Sequence, residues 1–423
     1  MLWRLVFMSI LSFQPNVRKI ILKNGLKILL YERTSYPTVY IGVFAYGGSF
    51  YETEENNGIT FLTLRVMTKA TKNADYKQIS KKLDKLGGNF SYSSESYYVS
   101  LHMNVLSEDL EEAIELLSDI IKNPTFPEDE IKKEKEKQIS DIKSMIDNPY
   151  EMMFLNLAKA IYGNWGYGLS DYGKIENIKK FTRSDLVNWH KKIFCAKNML
   201  IVIVGDFDGK SLVSLLKKKF EDIPSGDVLK PVKFSQNSFP REVVIERNYN
   251  QTYLGLGFRV MDLNSSDYLP FMIFSKAVSG MGRRFFVELR DKKHLAYAVW
   301  NLYRANPLAG YFGVYIATFP EKEKEAVEGI LEILKNLKEN GLTQKEFEDA
   351  KTQYEGEIKT FLVNNRNFGI TFALGELYGF GWDWKFKMID KVRELKLEDV
   401  NSVLKKYLKI KDYKLGIVRG KSR

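Results

Sequence analysis

Apolar positions along this chain recur in two rhythms. The runs "SYYVSLHMNV" (96–105) and "GYFGVYIATF" (310–319) are dense in aromatic and β-branched residues, which predicts strands. The stretches "LEEAIELLSDIIKN" (110–123) and "AVEGILEILKNLKEN" (326–340) space their apolar residues at the helical period. Each is followed by a capped amphipathic helix, "FPEDEIKKEKEKQISDI" (126–142) and "LTQKEFEDAKTQYEGEI" (342–358).

These pairings make a repeat. "IKKFTRSDLVNWHKKIFCAKNMLIVIV" (178–204) aligns without a gap on "VRELKLEDVNSVLKKYLKIKDYKLGIV" (392–418), with Asp185 on Asp399 and Lys191-Lys192 on Lys405-Lys406. Both predict a helix, a short turn and a strand, and Thr182 with Asp185 has capping-box spacing. The fold class expected is therefore α+β, with two homologous halves, each a mostly antiparallel sheet packed with helices. The halves are placed at 15–219 and 241–423. The linker is 220–240, "FEDIPSGDVLKPVKFSQNSFP", which holds three prolines of the chain's 11.

Composition narrows the function. A chain of 423 residues exceeds one ordinary core, which fits the two halves. The net charge of +11 invites a nucleic-acid role, but lysines interleave with glutamates, as in "EDEIKKEKEKQ" (128–138), the pattern of solvated helix faces. No nucleic-acid partner and no membrane span are expected. The Lys/Glu richness also has a thermophile-like cast. The single cysteine, Cys195, rules out an intramolecular disulfide and a cysteine-based zinc cluster, and reads as a small buried hydrophobe. Residues 1–14 are apolar after one arginine; they read as a signal-like segment without an A-x-A site, as a packed leader, or as a mis-assigned start, leaving a cytoplasmic or exported location open.

Four stretches carry a family resemblance: "LKNGLKILLYE" (22–32), "GGSFYETEENNGI" (47–59), "MTKAT" (67–71) and "RRFFVELRDKKHLAYAV" (283–299). Together they resemble the pitrilysin/insulinase-type inverzincin metallopeptidases, which include the mitochondrial processing peptidase, over about Val17 to Gly420. That family carries H-x-x-E-H on a helix, two imidazoles on one face gripping zinc and a glutamate as general base. Here "NGITFLTLRVMTKAT" places Phe61 and Arg65 at the histidine positions and Leu64 at the base. The third ligand position falls to Asp141, with Glu134 two helical turns earlier. The expectation is a helix that buries Ile59, Leu62, Leu64 and Met67 and an Arg65 paired with Asp141 or Glu134, with no metal in this chain. The three histidines, His102, His190 and His294, are scattered and read as structural.

The resemblance implies more for the second half. Arg290 and Tyr297 match the family pair that holds a substrate carbonyl and supports the oxyanion, although His294 replaces a usual glycine between them. The plain alternative is an arginine in a surface ion pair and a tyrosine in the core. "SGMGRR" (279–284) lacks a phosphate-loop ending and reads as the turn into the helix bearing Arg290. "LGGNFSYSSESYYVSL" (86–101) resembles the segment that adds a substrate peptide as an extra strand, with Gly87 and Gly88 at the bend and Asn89, Phe90, Ser91, Tyr92 and Ser93 at the pairing edge. A polar-protected edge strand has the same pattern. The implied role is that of a non-catalytic, substrate-binding subunit of a heterodimeric zinc endopeptidase, inactive alone. Its partner would be a homologous subunit with H-x-x-E-H and the zinc, with a homodimer as the isolated state. The rival is an inactive scaffold or peptide-binding protein of the same fold.

Overall fold

A computed structural model describes residues 15–235 and 239–421; the apolar stretch 1–14 lies outside them. Two compact units are present. In the first, strands β1 (Arg18–Ile21), β2 (Lys27–Glu32), β3 (Thr38–Tyr46), β4 (Phe90–Ser94), β5 (Tyr98–Leu106) and β6 (Met199–Gly205) form one sheet in the order β1-β2-β6-β3-β5-β4. In the second, β7 (Glu242–Glu246), β8 (Thr252–Val260), β9 (Ala298–Ala305), β10 (Gly310–Thr318) and β11 (Lys414–Arg419) take the order β7-β11-β8-β10-β9.

The repeat seen in the sequence is a repeat of topology. The parallel pair β2–β6 has its counterpart in the parallel pair β7–β11, and every other contact in both sheets is antiparallel. The aligned helices Arg183–Ile193 and Leu397–Tyr407 lead into the equivalent strands β6 and β11. The Thr182–Asp185 capping box forms: Asp185 N–H donates to Thr182 Oγ1 at 3.2 Å and Thr182 N–H to Asp185 Oδ2 at 2.8 Å.

The compact units do not follow the chain halves strictly, because each takes a helical segment from the other half. Residues 143–170 belong with the second unit, where helix Pro149–Tyr162 lies against β7, β8 and β11. Its Asn156 Nδ2 donates to Ile417 O at 3.1 Å and its Tyr162 hydroxyl to Gly310 O at 2.6 Å. The approach is so close that a Cβ on Gly416 would stand 2.1 Å from Leu157 N. Reciprocally, residues 358–386 belong with the first unit. Phe368, Phe372 and Leu377 of helix Asn365–Leu377 pack into one buried cluster with Leu29, Tyr31, Phe44, Val202 and Val204. Tyr46 donates its hydroxyl proton to Leu377 O at 2.7 Å. Past helix Gly209–Phe220, residues 221–235 form no helix or strand. No helix among the described residues is long and apolar enough to cross a membrane.

Candidate functional site

Helix Ile59–Met67 begins at Gly58, whose φ of 99° suits a residue without Cβ. Glu52, fully buried, takes over the capping: its carboxylate accepts from the N–H groups of Gly58 and Thr60, each at 2.9 Å, and from Asn57 Nδ2 at 2.8 Å. Negative charge there meets the positive end of the helix dipole. Burial pushes the Glu52 carboxyl above its ordinary pKa, against the pull of these donors. Trp189 Nε1 donates to Thr60 Oγ1 at 2.9 Å, and Gln138 Nε2 donates to Gly58 O at 3.1 Å and to Tyr172 O at 2.8 Å. The helix start is thus fixed against helix Glu128–Asp147, and Ile59, Leu62, Leu64 and Met67 are all buried.

Arg65 meets both expected carboxylates at once. Its Nε donates to Glu134 Oε2 at 2.9 Å, and a terminal nitrogen donates to Asp141 Oδ2. Glu134 is 1% exposed and also binds Lys137 Nζ at 2.7 Å and Lys69 Nζ at 3.3 Å. Burial raises the Glu134 carboxyl, but the hydrogen bonds from Lys137 and Arg65 outweigh it and hold the group below the ordinary carboxylate range.

This set does not fit zinc. Phe61 has no donor atom, Leu64 has no base, and Arg65 is a permanent cation with protons only to give. The carboxylate oxygens a metal would need are already engaged by three positive side chains. Elsewhere among the described residues, no group of three His, Cys, Asp or Glu side chains could hold a metal. His102 is buried with Nδ1 2.6 Å from the Tyr40 hydroxyl, and His190 is buried against the rings of Phe126 and Phe194. Burial lowers each to about 4. Cys195 is buried, as its sequence setting implied.

In the second unit, "SGMGRR" does turn into the helical segment bearing Arg290, a wide turn over Val287–Lys292. Arg290 is exposed, forms no ion pair among the described residues, and lies over the Phe286 ring at 4.8 Å from its centroid. Tyr297 is 73% exposed, which overturns the alternative of a core aromatic. Between them His294 holds φ at 51°, in the left-handed region. Glycine adopts that conformation without strain, and histidine is one of the residues that tolerates it.

Strand β4 lies at the edge of its sheet and, among the described residues, is paired on one side only, with β5. Gly87 and Gly88 enter it with φ of 86° and 70°. Asn89 sits just before the strand, which starts at Phe90. Beside this edge is a grouping the sequence analysis missed. The Phe61 ring lies 6.5 Å from Tyr92 and 5.4 Å from Tyr172, with the Arg65 guanidinium 5.3 Å from its centroid. Tyr172 is more than a hundred residues from Phe61, and no spacing rule connects them. The Glu52 cap was legible in principle, as an acidic residue shortly before a helix-starting glycine.

Residues 27–173 match the family model described as insulinase (peptidase family M16), and residues 180–354 match the one described as the peptidase M16 inactive domain. The chain belongs to peptidase family M16. Among its M16 relatives, the protein named uncharacterized zinc protease YmxG of Bacillus subtilis is 26% identical over 405 residues, covering 95% of this chain and 98% of that one. An uncharacterized zinc protease of Rickettsia felis is 28% identical over 81% of this chain and 82% of its own. The M16 fold is matched by the crystal structure of a peptidase M16 inactive domain from Pseudomonas fluorescens, at TM-score 0.88 and 23% identity over 96% of this chain and 98% of that chain. A protease from Helicobacter pylori matches at TM-score 0.86 and 20% identity, over 96% of this chain and 100% of that chain.

Proposed function

We propose that this M16 protein is the non-catalytic, substrate-binding subunit of a heterodimeric zinc endopeptidase. The observation that carries it is Arg65, whose guanidinium engages Glu134 and Asp141 at the place where a zinc-bearing relative needs its ligands. The zinc and its H-x-x-E-H belong to a homologous partner subunit. This chain supplies Arg290 to hold a substrate carbonyl and Tyr297 to donate to the developing oxyanion. Their exposure supports the reading, since both side chains are accessible to a second protein. The edge of β4 takes up an extended peptide through backbone hydrogen bonds, which gives sequence-tolerant affinity.

Reconstitution with the H-x-x-E-H-bearing homologue tests the proposal. The purified chain alone hydrolyses no peptide, and the complex does. In the complex, Tyr297→Phe lowers kcat by about 10²–10³-fold, the cost of one oxyanion donor, while assembly on a sizing column is unchanged. Full activity of the Arg290→Ala, Tyr297→Phe complex would favour the scaffold role instead. Zinc-dependent hydrolysis by the partner-free chain would end both readings.

A further inference from the structure

The side chains of β4 alternate across the sheet, so Phe90, Tyr92 and Ser94 share one face and Ser91 and Ser93 the other. Register fixes which is which. Tyr92 stands opposite Leu101, which is fully buried, and its ring meets Phe61 of helix Ile59–Met67. Ser93 contacts Ser100 across the strand pair, Oγ to Oγ at 2.9 Å, and Ser91 stands opposite His102. The first face is therefore aromatic and the second polar.

On the aromatic face, half-buried Phe61 and Tyr92 and exposed Tyr172 form a floor of rings, with the Phe61 and Tyr172 rings at 80° to one another. Charge beneath it is already matched, because the Arg65 guanidinium stacked on Phe61 is engaged by Glu134 and Asp141. Next to it the outer edge of β4 has no strand partner among the described residues. A peptide strand paired there brings the side chain directly opposite Tyr92 to within about 5 Å, on the same face, and turns its two neighbours to the Ser91 and Ser93 side.

We infer that the position of the lost metal centre is an apolar side-chain subsite: it takes one large aliphatic or aromatic residue of an extended peptide paired with β4, and leaves the flanking residues unselected. This rests on the proposed role of β4 as a peptide-binding edge. An isolated Phe61 would be ordinary packing; what points to a ligand is the half-exposed ring floor adjoining an open strand edge, with its charges neutralised.

Fluorescence polarisation of labelled, unstructured peptides on the partner-free, full-length chain tests it. The probe is a Ser/Thr-rich decapeptide with one Phe, and the series moves that Phe to Leu, Asp or Gly. A second series is N-methylated at alternate residues, which removes strand pairing without altering the protein. The expected result is that Phe→Asp weakens binding by roughly tenfold or more, with Leu close to Phe. Phe61→Ser abolishes that preference while the frame peptide still binds, and Phe61→Leu keeps it. N-methylation abolishes binding of every peptide. Methylation-sensitive binding with no preference for the apolar residue, or a preference that survives Phe61→Ser, overturns the subsite and leaves the edge intact. Binding indifferent to methylation, or no binding by any peptide, overturns the edge and the subsite together.

Discussion

Arg65 illustrates how one side chain converts a metal position into a structural contact. Its two carboxylate partners come from one helix, two turns apart, and the guanidinium engages both Glu134 and Asp141. Arg65→Met leaves Glu134 buried with only its lysines, and destabilises the fold by about 2–3 kcal/mol in urea titration. Adding Glu134→Met recovers part of that loss, since no buried charge then remains unmatched. A second residue-scale effect belongs to His102 and His190. Both sit near 4 in the folded chain, against about 6.5 in an unfolded one. As pH falls below about 6.5 the unfolded chain takes up protons first, so stability declines between about pH 6.5 and 4, by up to roughly 3 kcal/mol per histidine. Urea midpoints across that range record the slope, and His102→Gln removes its share. The contribution of Glu134, held low, is present above the ordinary carboxylate pKa and is lost only as pH falls further.

At the level of elements, the contact between helix Pro149–Tyr162 and β11 depends on the absence of a side chain at Gly416. Gly416→Val forces Leu157 away, and hydrogen exchange then rises in 149–162 and in β8 and β11 while β3 and β6 keep their protection. Strand and helix periodicity made most elements legible, and the gap-free match of 178–204 to 392–418 gave the shared topology, because burial writes its period directly into sequence. The destination of the two helices 149–162 and 365–377 was not legible. An apolar stripe states that a helix is covered, not which sheet covers it. The site was legible where a motif had a fixed register, as at Phe61, Leu64, Arg65 and Asp141. It was not legible where Tyr172 joins through tertiary packing alone, nor in the exposure of Tyr297.

Across the whole molecule, neither chain half contains a complete unit. Without residues 358–386, the first sheet leaves Tyr31, Phe44, Val202 and Val204 uncovered, an apolar face that cannot stay in water. Expressed alone, residues 15–235 are expected to aggregate or bind a hydrophobic dye, and co-expression with 239–421 restores a soluble pair; a soluble, dye-free fragment would contradict this. The same reciprocity bears on descent. A segment with no role of its own is ordinarily free to erode or be deleted, yet here the amino-terminal half furnishes the segment that roofs β7, β8 and β11. Selection acting solely on the second unit would still preserve the amino-terminal half, since its removal would unroof β7, β8 and β11.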